Sequence, residues 1–164
     1  MRDKTVCFTG HRVIPALQRE GLFLHLKSTI LSLMSRGYRF FGAGGAWGFD
    51  TLAAMAVLEI RKQYPFIKLI LVLPCYSQAR YWKDSERKCY EQIKELADKV
   101  VYTSFEYTRG CMYRRNRHLV NCSSVCVCYL TKNVGGTAYT VAYAKRQGLE
   151  IINMALEGKS GSKR

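Results

Sequence analysis

The sequence predicts a single α/β domain with a mainly parallel sheet and helices on both faces. Three observations carry that prediction. Apolar β-type runs alternate with helix-periodic segments from one end of the 164 residues to the other, the pattern that builds parallel sheets. Residues 66–73 are continuously apolar apart from Lys68, as in a strand covered on both faces. Residues 38–56 run from an aromatic strand through Gly42, Gly44, Gly45 and Gly48 into an apolar helix behind Asp50 and Thr51.

Residues 4–9 form the first strand, which ends at Gly10-His11-Arg12. Pro15 opens a helical pattern with Phe23, Leu26, Ile30, Leu33 and Met34 on one face, and Gly37 stops it. Residues 38–41 are the second strand, and the helix beginning near Asp50 ends before Pro65. Pro74 breaks the third strand and leads into a loop with Cys75, Tyr76, Gln78 and Trp82, ahead of a charged helix over 84–97. A short strand at 99–102 precedes a loop holding Glu106, Arg109 and Gly110, then a basic helix over 112–121. Residues 125–130 read as a strand. Gly135-Gly136-Thr137 then turn into a helix over 138–147, which Gly148 ends, and 151–154 form the last strand. No repeat or linker divides the chain, so the expected organisation is a domain over 1–156 and a flexible basic tail over 157–164. The pattern does not determine strand order.

Composition narrows the partners. The chain is 48% apolar and 23% charged, ordinary for a soluble globular protein. There is no signal-peptide pattern and no apolar run long enough to span a bilayer, so the expected location is the cytoplasm, away from membranes. Seven cysteines, an odd and scattered set, argue against a disulfide framework. Cys122, Cys126 and Cys128 come closest to a metal cluster. Two of them fall inside a strand and no fourth ligand follows, so no metal site is expected. The net charge of +14 favours anionic partners: nucleotides, nucleic acid or acidic surfaces. Arg109, Arg114, Arg115 and Arg117 concentrate part of it, either for nucleic acid or as a solvated face. Assembly of identical copies is left open.

The glycine loop at 42–48 follows a strand and opens a helix, where bare amides and the positive end of the helix dipole welcome an anion. It matches neither common nucleotide fingerprint. Trp47 stands where G-x-G-x-x-G needs its third glycine, and Gly158-Lys159-Ser160 is only a Walker fragment in a polar setting. Asp50 stands at an N-cap position. A carboxylate would repel a phosphate beside it, so Asp50 is expected either to cap amides or to hold ribose hydroxyls. In parallel sheets ligands bind at the carboxyl ends of strands. Every unusual stretch falls on that edge: Thr9-Gly10-His11-Arg12, residues 42–50, residues 74–82, residues 106–115, and Gly135-Gly136-Thr137. Together they describe a site for a small phosphorylated ligand.

These motifs resemble a known group. Residues 6–12 (VCFTGHR), residues 42–50 (GAGGAWGFD) and Gly135-Gly136-Thr137 are similar to the YpsA/YoqJ-like branch of the SLOG superfamily. That superfamily joins the DprA/Smf proteins to the LOG phosphoribohydrolases. The likeness extends over about residues 4–154 and includes Pro74, Gln78, Trp82, Arg115 and Asn116. It implies a Rossmann-like fold that binds nucleotides or nucleotide-derived ligands. The LOG enzymes carry Gly-Gly-x-Gly-Thr-x-x-Glu, whose Glu serves hydrolysis, and here Thr140 stands at the Glu position. Asn121 and Ser124 likewise fill a region where the branch tends to be acidic.

The chemistry expected from these residues is binding first and catalysis second. Opening an N-glycosidic bond calls for a carboxylate to stabilise an oxocarbenium-like state or to activate water. On the predicted ligand edge only Asp50 and Glu106 could serve, with His11 as an acid or base, or as a hydrogen-bonding group for phosphate or backbone. Arg12 is the expected phosphate contact. Trp82 or Tyr76 stacks on a base or packs at the rim, and Arg115 and Asn116 reach a second phosphate or line a solvated helix face. The expected ligand contacts are thus Thr9, Gly10, His11, Arg12, Gly44, Gly45, Gly48, Asp50, Gln78, Trp82, Arg115, Asn116, Gly135, Gly136 and Thr137. No cofactor is required, and the ligand classes are a mononucleotide, ADP-ribose or an NAD-related molecule. A DprA-like nucleic-acid module and a feeble phosphoribohydrolase are the alternatives.

Overall fold

A computed structural model describes residues 1–155 of the chain. The predicted tail at 157–164, and residue 156 at the end of the predicted domain, lie outside the described residues. Six strands form one sheet: β1 (Thr5–Gly10), β2 (Phe40–Ala43), β3 (Lys68–Leu73), β4 (Lys99–Tyr102), β5 (Val125–Tyr129) and β6 (Glu150–Asn153). The helices between them are α1 (Arg19–Ser35), α2 (Phe49–Gln63), α3 (Asp84–Leu96), α4 (Cys111–Asn121) and α5 (Gly136–Arg146). Every strand pair is parallel, in the order β4-β3-β2-β1-β5-β6. The fold is α/β and Rossmann-like.

Alternation along β1 sorts the core into two layers. Val6 and Phe8 pack with Leu26, Ile30, Phe49, Val57 and Ile93 from α1, α2 and α3. Cys7, with Cys126 and Cys128 of β5, turns to the opposite face, against Leu119 and Val120 of α4 and Val141 and Ala144 of α5. The three thiols act there as small apolar side chains. A strand buried on both faces needs an apolar side chain at nearly every position, and β5 (VCVCY) is buried throughout.

This layering places a crevice at one edge of the sheet. The connections through α1, α2 and α3 step outward from β1 on one face. After β4 the chain returns through α4 on the other face and sets β5 against the free side of β1. The direction of winding therefore reverses between β1 and β5. Beyond the carboxyl ends of those two strands the loops diverge and leave a crevice.

Candidate functional site at the switch between β1 and β5

A cavity of about 320 Å³ occupies that crevice. The end of β1 supplies Thr9 and Gly10, and the following loop supplies His11 and Arg12. Asp50 of α2, Arg115 and Asn116 of α4, and Gly135, Gly136 and Thr137 at the start of α5 complete most of the lining. Elements far apart in sequence thus bring these ten predicted residues together. Ala46, Met112 and Val134 also line the cavity and were missed. Met112 had a readable signal: it precedes Arg115 by one helical turn, and its sulfur lies 3.6 Å from Arg115 Nη2.

Arg115 is the centre of the wall. It is only 4% exposed, so its donors must find partners inside the protein. Nε donates to Asn116 Oδ1 at 2.6 Å, and Nη1 donates to the Gly44 carbonyl and, at 3.4 Å, to Gln78 Oε1. Burial pulls the guanidinium pKa down, and the nearby Asp50 charge pushes it back up. Asp50 is buried as well, inside the first turn of α2 rather than at its cap, because Gly48 holds the N-cap position. Its Oδ2 accepts the Ala46 amide at 3.3 Å, reaching back into the glycine loop. Burial raises the Asp50 pKa to about 6, opposed by Arg115, the Ala46 amide, Arg12 and the Gly44 amide.

The glycines at 44, 45 and 48 are demanded by the protein's own packing. A Cβ on Gly44 would lie 2.6 Å from Arg115 Nη1, and one on Gly45 would lie 2.6 Å from Leu73 Cδ2. At Gly48 the backbone has φ +99°, and a Cβ would meet the Arg12 carbonyl oxygen at 2.2 Å. The Phe49 amide at the start of α2 donates to the His11 carbonyl at 3.1 Å. The mouth of α2 is therefore occupied by the β1 loop. Gly44, Gly45 and Gly48 stand behind the cavity wall and not on its surface.

The start of α5 differs. Nothing lies within 4 Å of a Cβ built on Gly135 or Gly136, and no side chain caps the helix. The first intrahelical amide bond in this turn is Tyr139 N–H to the Gly135 carbonyl, at 3.0 Å. The amides before it have no intrahelical partner, and Gly135, Gly136 and Thr137 line the cavity at the positive end of the helix. Thr140, at the position of the LOG glutamate, is buried and donates its hydroxyl to the Gly136 carbonyl at 2.9 Å. It supplies no carboxylate.

The remaining predicted residues have other surroundings. His11 Nε2 accepts the Thr131 amide at 3.0 Å, and burial with the charge of Lys132 lowers its pKa. It is a neutral ring tying two loops together. Gln78 is buried between Arg115 and the Tyr90 hydroxyl, at 3.4 Å from each. Trp82 packs edge-on against Tyr90 and Trp47, with ring centroids 5.1 and 6.4 Å away. Glu106 lines a separate opening with Phe105, Arg109 and Arg114. Asp50 is the one carboxylate lining the switch-point cavity among the described residues. No cluster of three or more potential metal-binding side chains occurs among them, and no helix among them is long and apolar enough to cross a membrane.

The YpsA family model, described as the YspA SLOG family, matches residues 20–155. A UPF0398 protein from Halalkalibacterium halodurans is 27% identical over 158 residues, covering 88% of this chain and 82% of its own. Among solved structures, DNA processing protein A from Streptococcus pneumoniae aligns with a TM-score of 0.66 at 17% identity. That alignment covers 91% of this chain and 49% of the larger protein, so this chain spans about half of it. DNA processing protein A from Helicobacter pylori, described for its single-stranded DNA binding mode, aligns at TM-score 0.60 and 16% identity. It covers 96% of this chain and 72% of that one.

Proposed function

The chain belongs to the YpsA family of the SLOG superfamily, and we propose that it binds a nucleotide-type phosphorylated ligand in the cavity between β1 and β5, as a sensor or processor of that ligand. The observation that carries this reading is the open, uncapped turn of α5, whose amides share one cavity with Arg12. A phosphate group there accepts from the Gly136 and Thr137 amides and from the Arg12 guanidinium. Arg12 is exposed, and its side chain makes no hydrogen bond or ion pair among the described residues. Arg115 adds positive potential from within the wall, its donors already held by the protein. Membership of a nucleotide-related superfamily supports the same ligand class.

Thermal shift against AMP, ADP-ribose and NAD tests this. A ligand at about 100 times its Kd stabilises a protein by about 2.7 kcal/mol, which raises the Tm of a domain this size by roughly 5–10 °C. Arg12→Ala and Gly136→Val lose that shift. Retention of the full shift in both variants would place the ligand elsewhere.

A second reading has its own observation. Phe105 and Tyr107 are 80% and 67% exposed beside Arg109 and Arg114 on the loop after β4 and the start of α4. Tyr76 stacks on Tyr102 at 3.9 Å along the same edge. Aromatic rings interleaved with arginines suit single-stranded nucleic acid, and the Helicobacter pylori neighbour is described with that ligand. Filter binding across salt concentrations tests it. Affinity falls linearly in log salt, and replacing Arg109 and Arg114 flattens the slope; no binding at ~50 mM salt would remove this reading.

A further inference from the structure

One buried atom in the switch-point cavity has no partner. Asp50 is 6% exposed, its Oδ2 is bonded to the Ala46 amide, and its Oδ1 is buried without a hydrogen bond, the Gly44 amide lying near enough to lower the carboxyl pKa but outside bonding geometry. A buried carboxylate oxygen left without a donor is costly, and native proteins rarely leave one so. The neighbouring cation does not satisfy it. Arg115 directs Nε to Asn116, Nη1 to Gly44 and Gln78, and Nη2 to Met112. Arg115 and Arg12 supply field at Asp50, and no ion pair closes on its carboxylate among the described residues.

A donor that comes with the ligand would complete this carboxylate. A phosphate oxygen cannot donate and would be repelled. A cationic group would meet the field of two arginines. A neutral hydroxyl meets neither objection. Since the same cavity offers the open amides of α5 to an anion, the ligand carries hydroxyls within reach of a phosphate, as a ribose does. We infer that Asp50 Oδ1 accepts a hydrogen bond from a ribose hydroxyl, so that this site takes ribonucleotides in preference to deoxyribonucleotides. The inference rests on the nucleotide reading above and deepens it. It also separates the cavity from any DNA-binding surface, which would lie at the arginine and aromatic edge.

Calorimetric titration with AMP, 2′-deoxy-AMP and 3′-deoxy-AMP tests the assignment on the unaltered protein. A hydrogen bond to a charged acceptor predicts that at least one deoxy analogue binds roughly 10- to 100-fold more weakly than AMP. Asp50→Asn keeps its carbonyl oxygen on the Ala46 amide and turns an NH₂ donor toward the cavity. In that variant AMP weakens and its advantage over the deoxy analogues disappears. Deoxy analogues that bind as tightly as AMP, or a preference that survives Asp50→Asn, would overturn the hydroxyl assignment and leave the nucleotide reading standing. Failure of all three, and of inorganic pyrophosphate, to bind would overturn both.

Discussion

The glycine turn before α2 and the glycine turn before α5 both carry a strand into a helix at the same edge of the sheet, yet they meet different surroundings. The first is filled by the protein itself: Arg115 covers Gly44, Leu73 and Gln78 cover Gly45, and the backbone of Arg12 covers Gly48. In the second, a Cβ added at Gly135 or Gly136 would meet nothing within 4 Å. Glycine stands in both, for different reasons. In the first turn a side chain would collide with the fold. In the second the backbone demands it at Gly135, held at φ +99°, and a side chain on Gly136 would meet open space.

That difference predicts opposite consequences of substitution. The largest effect is expected from Gly48→Ala, which combines a left-handed φ with a backbone collision. It should cost about 3 kcal/mol or more, read as a large fall in the urea midpoint. Gly44→Ala comes next, because the buried Arg115 guanidinium must be displaced from its carbonyl. Gly136→Ala should leave stability within about 0.5 kcal/mol of the parent. Gly136→Val should behave likewise while abolishing ligand-induced stabilisation. Equal destabilisation at Gly44 and Gly136 would break the comparison.

Asp50 joins the two turns, and its titration sharpens the contrast. The groups facing it are the guanidinium groups of Arg115 and Arg12, the amides of Ala46 and Gly44, and the thiol of Cys126. Burial raises its pKa from 3.8 to about 6 in the folded protein. The folded state therefore holds a proton that the unfolded chain has lost between those values. The resulting stability is fully present below pH 3.8 and is lost as pH rises through about 6. Relative to Asp50→Asn, the unaltered protein should lose about 1.4 kcal/mol of stability per pH unit across that window. Parallel stability curves for the two proteins would contradict the buried, titrating carboxyl. A smaller effect is expected at the edge pair Arg36–Glu150, 2.6 Å apart and about half exposed. It belongs to neither turn, so its double-mutant cycle, at about 0.2–1 kcal/mol, should leave ligand binding unchanged.

The fold was legible because the signals for alternation are local: apolar runs, prolines at 65 and 74, and glycines at 37 and 148. Strand order was not, since it depends on which side of β1 receives β5 after the chain crosses the sheet. The same crossing explains which site residues were legible. Thr9 to Arg12 span the end of β1 and Gly135 to Thr137 follow β5, the two strands that flank the switch, so motif position alone placed them at the cavity. Glu106 follows β4, the outermost strand, three places from β1. At about 4.8 Å per strand that is roughly 14 Å, and Glu106 opens onto its own cavity. Arg115 lies only nine residues further on, and α4 brings it back across the opposite face to the switch point. The burial of Asp50 could not be read from sequence either. Its position near a helix start suggested a cap, while the true N-cap, Gly48, is fixed by a contact with Arg12 that is distant in sequence.

The central claim is that the open turn of α5, and not the packed turn of α2, receives the ligand. Amide chemical shifts followed by NMR during titration with AMP and with ADP-ribose test it most directly. The amides of Gly135, Gly136 and Thr137 and the Arg12 side chain should move most and saturate together, while Gly45 and Gly48 change little. Shifts concentrated at Gly45 and Gly48 with the α5 turn unmoved, or a titration that moves neither turn, would contradict the account.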